Sequence, residues 1–231
     1  MIKIDRALEF RKGFQDDLTE QFNFSPSTIL SKQELSDFIA TEFQKAHDIT
    51  NFGSYEELLD EVFELSEDDI DVSFSFDEQI MQLLQRFQPE NWSFLDEKAK
   101  LDSIKELAES IADRLGIYNV PNIEYYDGDV DDCGFYAPYE NTIGLNAMYL
   151  DSPKELVNTL SHEMRHVYQH IRADILETHN DALYRVNFEN YIEPLFLFDG
   201  TCLFYMEYFG QYVEVDARAF ANLFTEAMNH A

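Results

Sequence analysis

Basic residues are what this chain lacks most: 16 Lys and Arg stand against 46 Asp and Glu, a net charge of −30 over 231 residues. The deficit is even, with 9 basic and 23 acidic side chains in residues 1–100 and 7 and 23 in the remainder, so no part offers a basic groove. Such a surface repels phosphate backbones, which speaks against direct nucleic-acid binding, and an anionic membrane is equally unfavourable. Between Ala46 and Gln85 there is no Lys or Arg while twelve acids occur, which reads as a solvated helical face with an acidic loop at Ser66 to Asp71. Cysteine is scarce too. Cys133 and Cys202 have no CxxC partner and supply no disulfide framework, which fits a reducing compartment. No run approaches the roughly 18 apolar residues that span a bilayer, and the stretch after Lys3 and Arg6 lacks the apolar core of an export signal. The expectation is a soluble, cytoplasmic chain.

What is present suffices for a packed interior, with 45% hydrophobic and 15% aromatic residues. The first hundred residues read as mostly helical. Ser31 opens a capping box with Glu34, followed by Leu35, Phe38, Ile39 and Phe43 at helical spacing, and Ser54 repeats it with Glu57 before Leu58, Leu59, Val62 and Phe63. After Pro89, a helix is expected from about Asp96 to Leu115, stopped by Gly116. The texture then changes to short strands at Asn122–Tyr126, Gly134–Tyr136 and Thr142–Asn146, with turns between them. Ser152 and Pro153 open a long helix whose Leu156, Leu160, Met164, Val167 and Ile171 form an apolar stripe, and a last helix is expected over roughly Leu203 to Met228. The pattern divides the chain into an acidic, mostly helical region at 1–95 and an α+β domain at 96–231.

The long helix contains His162-Glu163-Met164-Arg165-His166, an HExxH sequence. Residues four apart share a helical face, so both imidazoles can reach one tetrahedral ion. Glu163 sits about 100° round the helix from His162, near such an ion without ligating it, where a general base would take a proton from water. The apolar stripe lies opposite the His pair, so one side packs while the other faces a cleft. A tetrahedral site needs a third protein ligand and keeps its fourth place for water. His170 lies one turn further along the same face. His47, His179 and His230 show no partner pattern.

In the last helix, Glu214-Val215-Asp216-Ala217 is followed by Phe220-Ala221. HExxH followed by E-x-x-A and F-A resembles the gluzincin metallopeptidases, especially compact proteins of the ImmA/IrrE type, over roughly residues 118–225. The resemblance implies Glu214 as third ligand, Ala217 as the small residue that lets the two helices pack closely, and Zn2+ as cofactor. It also implies a zincin-like unit with a small sheet and active-site helix, whose strand Thr142–Asn146 would pair with extended substrate. Asp216 points to another side of the helix from Glu214 and is the alternative ligand, otherwise left for a hydrogen bond or solvent. Tyr205, Tyr208 and Tyr212 are candidates to offer a hydroxyl to an oxyanion. Two positions depart from the family pattern. Arg165 fills a place that is usually uncharged and could pair with an acid on the facing helix, and Arg218 stands where relatives tend to carry Asn or Asp.

These features lead to a zinc-dependent metallopeptidase acting on an intracellular protein or peptide, with Glu163 as catalytic base and His162, His166 and Glu214 as metal ligands. The alternatives are a zincin-like module that binds metal but acts through protein contact, and an acidic mimic of DNA.

Overall fold

The computed structural model describes residues 49–130, 132–196 and 202–231. Contacts divide the chain after Asp48, and the unit Ile49–Ala231 contains all of these residues. The helix expected after Ser31, and His47, lie outside the described residues. The unit is mixed α and β, and among the described residues no helix is long and apolar enough to cross a membrane.

Short helices come first: α1 (Tyr55–Glu61), α2 (Glu78–Arg86) and α3 (Pro89–Trp92). Ser54 caps α1 through the expected capping box with Glu57, and Asp77 caps α2 by accepting from the Ile80 N–H. Part of the acidic segment at Ser66 to Asp71 winds into a 3₁₀ turn over Glu67–Asp69. α4 covers Glu97–Leu115, starting where Asp96 accepts from Ala99 N and ending at Gly116, which takes a left-handed conformation with φ of 71° that glycine adopts without strain.

Strands β1 (Asn122–Tyr126), β2 (Gly134–Ala137) and β3 (Thr142–Asn146) form a sheet in the order β1-β3-β2, with β1 parallel and β2 antiparallel to β3. This corrects the expected role of Thr142–Asn146. That strand is central, its backbone groups already paired on both sides, so it has no free edge for a substrate. Among the described residues β2 is an edge strand.

α5 (Pro153–Ile175) and α6 (His179–Glu189) follow, then a two-stranded ribbon of β4 (Leu195–Phe196) and β5 (Cys202–Leu203), α7 (Tyr205–Phe209) and α8 (Tyr212–Met228). The stripe on α5 is buried at Leu156, Leu160, Met164 and Val167, but Ile171 is exposed, because the later part of the helix turns that face to solvent. The single last helix expected from Leu203 is two helices. Gln211 is extended (φ −83°, ψ 148°), and backbone bonds from Leu65 N to Gly210 O and from Tyr212 N to Val62 O tie the break to the chain near α1.

One apolar core runs from α2 to α8. Ile80, Leu84, Phe87 and Trp92 join Ile104, Leu107 and Ile111 of α4, Ile143 and Leu145 of β3, the α5 stripe, and Phe220 and Phe224 of α8. Residues 72–95 thus share this core with the chain that follows, while Ile49, Leu58 and Val62 pack in a second cluster with Leu183, Val186 and Val213. α5 and α8 lie side by side in opposite directions, with Asn158 bonded to Thr225, Arg165 to Asp216 and Gln169 to Val213. Ala217 is fully buried, as expected of a small residue on a close-packed helix. Phe224 packs against Phe74, Phe76 and Phe220 with ring centroids 4.9, 5.0 and 5.2 Å away. Phe224→Ala is expected to cost about 3–5 kcal/mol through lost burial and the cavity left behind. Urea denaturation would show a lower midpoint with an unchanged slope.

Candidate metal centre

His162 and His166 lie one turn apart on one face of α5 with their rings edge to face, and their Nε2 atoms lie 3.0 Å apart. α8 brings Glu214 against them, with Oε2 3.4 Å from His162 Nε2 and Oε1 3.4 Å from His166 Nε2. For ligand bonds of about 2.0–2.2 Å, the ligand atoms of a tetrahedral site are about 3.3–3.6 Å apart. The three side chains approach that spacing, and two imidazoles with a carboxylate make a suitable donor set. They can hold a metal ion.

Electrostatics point the same way. Facing imidazole nitrogens beside a buried carboxylate favour positive charge between them, carried by a proton or a metal. Burial disfavours the charged His166 imidazole, but the Glu214 carboxylate and hydrogen bonding outweigh it and push its pKa up to about 9. Burial likewise opposes ionisation of Glu214, and the two histidines overcome it, holding the carboxyl well below its usual range. A metal must therefore displace a proton from His166 below about pH 9. The proton binds the metal-free site and not the loaded one, so rising pH favours metal. Apparent zinc affinity is expected to climb roughly tenfold per unit between pH 6 and 8, measured by competition with a chelator of known affinity.

Glu163, beside His162 on α5, is 7% exposed. Burial raises its carboxyl pKa, the two histidines pull it back, and Glu214 and Asp132 add to the rise, leaving it above the ordinary carboxylate value. Such a shift brings a carboxylate nearer to the pKa that suits a general base at neutral pH.

A ring of polar side chains surrounds these residues. Tyr191 donates to Glu214 Oε1 at 2.6 Å and Tyr208 to Oε2 at 3.0 Å, so each carboxylate oxygen has one phenol and faces one histidine. Gln169 Oε1 lies 2.8 Å from His166 Nδ1, while its Nε2 donates to Val213 O at 2.9 Å and to Asp216 Oδ2 at 2.7 Å. Arg165 grips Asp216 with Nε and Nη2 at 2.7 and 2.8 Å, and Tyr184 donates to the same carboxylate at 3.1 Å.

The expected pairing of Arg165 with an acid on the facing helix is therefore present, and the partner is Asp216. Asp216 is not left to solvent: it is 1% exposed and accepts from three side chains. α5 offers two adjacent pairs four residues apart, His162 with His166 and Arg165 with Gln169. Glu214 meets the first pair and Asp216 the second. Arg218 turns elsewhere, bonding Glu67 and the Phe209 carbonyl and lying 3.5 Å over the Phe209 ring.

His170 is outside the cluster. It stacks on Phe188 at 3.9 Å, and burial holds its pKa down to about 4, which keeps it neutral. Of the three candidate tyrosines, Tyr208 reaches Glu214, Tyr212 packs against Tyr184, and Tyr205 is exposed. His179 bonds Glu61. Sequence reasoning missed Gln169 and Tyr191. The spacing of Gln169, one turn beyond His166, was a usable signal, whereas Tyr191 lies in a loop with no local pattern to mark it.

No protein-family model, curated protein or solved structure matches the chain.

Proposed function

We propose that this protein is a zinc-dependent metallopeptidase with a zincin-like, gluzincin-type site, acting on an intracellular protein or peptide. The observation that carries the reading is the convergence of His162, His166 and Glu214, with the buried Glu163 next to His162 on α5. A zinc ion held by the three ligands supplies Lewis acidity toward a carbonyl oxygen and water. Glu163 takes a proton from the attacking water on its carboxylate and passes it to the leaving amine nitrogen. Its raised pKa serves both halves of that transfer. Tyr191 and Tyr208 hold the two oxygens of Glu214, and the edge of β2 offers backbone groups to an extended peptide.

The net charge of −30 steers basic peptides toward the surface. The test is to incubate the zinc-loaded protein with a peptide library weighted toward basic sequences and read cleavage by mass spectrometry. Cleavage that a chelator abolishes and zinc restores is expected. A zinc-loaded protein that leaves the library intact would argue for a module that acts through protein contact.

A further inference from the structure

We infer that Arg165, Asp216 and Gln169 form a positioning chain that fixes the tautomer of His166, with Nδ1 protonated toward Gln169 and the Nε2 lone pair turned to the ligand site. The inference rests on the proposed reading of His162, His166 and Glu214 as a metal site, but its geometry stands without an ion.

The direction of each hydrogen bond follows from what the atoms can do. Arg165 has only donors, and its Nε and Nη2 lie 2.7 and 2.8 Å from the two oxygens of Asp216, a forked pairing that sets the carboxylate plane. Tyr184 strengthens the arrangement: it accepts from Arg165 Nη2 at 3.2 Å and donates to Asp216 Oδ2 at 3.1 Å. Asp216 can then only accept from Gln169. The Val213 carbonyl, 2.9 Å from the same amide nitrogen, also only accepts. Two acceptors on one end of the amide require the NH₂ group there, because the flipped amide would press its oxygen against both. Gln169 Oε1 is thereby directed at His166 Nδ1, 2.8 Å away. An amide oxygen has no proton to give, so Nδ1 must be the donor. A neutral imidazole protonated at Nδ1 keeps its lone pair on Nε2, the atom 3.4 Å from Glu214 and 3.0 Å from His162.

The chain is shielded from exchange with water. Gln169 is fully buried, Asp216 is 1% exposed, and the Arg165 side chain is 11% exposed between α5 and α8. Solvent therefore cannot replace any of its members cheaply. Arg165, at a position of HExxH that supplies no ligand, gains a role: it orients a ligand from two residues' remove. Partners that orient a ligating histidine are generally worth about 10–100-fold in metal affinity.

The test has two readouts on the whole chain. In metal-free wild type, with the pH raised until the ring ¹⁵N shifts stop changing, ¹⁵N–¹H NMR of the His166 imidazole is expected to show the Nδ1–H tautomer alone. Gln169→Met keeps the bulk of the side chain and removes the acceptor, so it is expected to give a tautomer mixture and to bind zinc about 10–100-fold more weakly, still at one ion per chain. A residue that only packs would lower the melting temperature without moving the tautomer. An Nε2–H tautomer in the wild type would overturn the inference, and that measurement decides the matter even if the variant fails to fold. An unmixed Nδ1–H tautomer in Gln169→Met, with zinc affinity within about twofold of wild type, would also overturn it. If the wild type shows Nδ1–H and yet binds no zinc, the positioning chain stands and the metal reading falls.

Discussion

Zinc-loaded protein carrying Glu163→Gln is expected to keep its ion and to lose about 10²–10⁴-fold in peptide cleavage. The two effects separate because Glu163 shares the turn with His162 without belonging to the three donors that converge. Gln has nearly the same size and can still fill the 7%-exposed position, so the change removes the proton acceptor and little else. Its neutral amide also removes a negative charge from beside Glu214, which lowers the attraction for a cation but leaves all three donors in place. Zinc content by mass spectrometry and cleavage rate on the same preparation decide the matter. A variant that cleaves at the wild-type rate would remove Glu163 from the mechanism, and one that loses its zinc would make it a ligand.

His162→Ala, His166→Ala and Glu214→Gln are each expected to weaken zinc by more than the roughly 10–100-fold that outer-shell partners are worth, because the first two remove a donor and the third exchanges a carboxylate for a neutral amide oxygen. Two remaining ligands hold a tetrahedral site poorly. Glu214→Gln has a second cost. The carboxylate accepts from Tyr191 and Tyr208, one phenol on each oxygen, and an amide presents a donor to one of them. Chelator competition on all three variants, with circular dichroism to show that they are folded, gives the measurement. Full zinc occupancy in the His162→Ala, His166→Ala double variant would disprove the site.

The sequence made the parts of this centre legible where one local rule was enough. The i, i+4 spacing of the histidines, the Gly116 stop and the bounds of β1 and β3 follow from helical period, left-handed glycine and apolar alternation, and the structure has them in place. Strand order was not legible, because pairing of β3 with both β1 and β2 depends on contacts between residues far apart in the sequence. The helix at His179–Glu189 escaped notice because its capping box closes with Asp181 in place of Glu or Gln. The break before Tyr212 is set by hydrogen bonds to Val62 and Leu65, which no inspection of residues 203–228 reveals. Gln169 could be seen as a neighbour of His166, but its orientation depends on Asp216 and Val213 across the helix pair.

The opposed run of α5 and α8 has a consequence for assembly during folding. α5 by itself carries two of the three donors, and the third arrives only when α8, separated from it along the chain by α6 and α7, has docked against it. Contacts so distant in sequence form late and slowly compared with those inside a helix. The ion's full affinity is therefore a property of the completed tertiary structure: a chain halted with α5 formed and α8 free would hold metal only as loosely as any surface histidine pair.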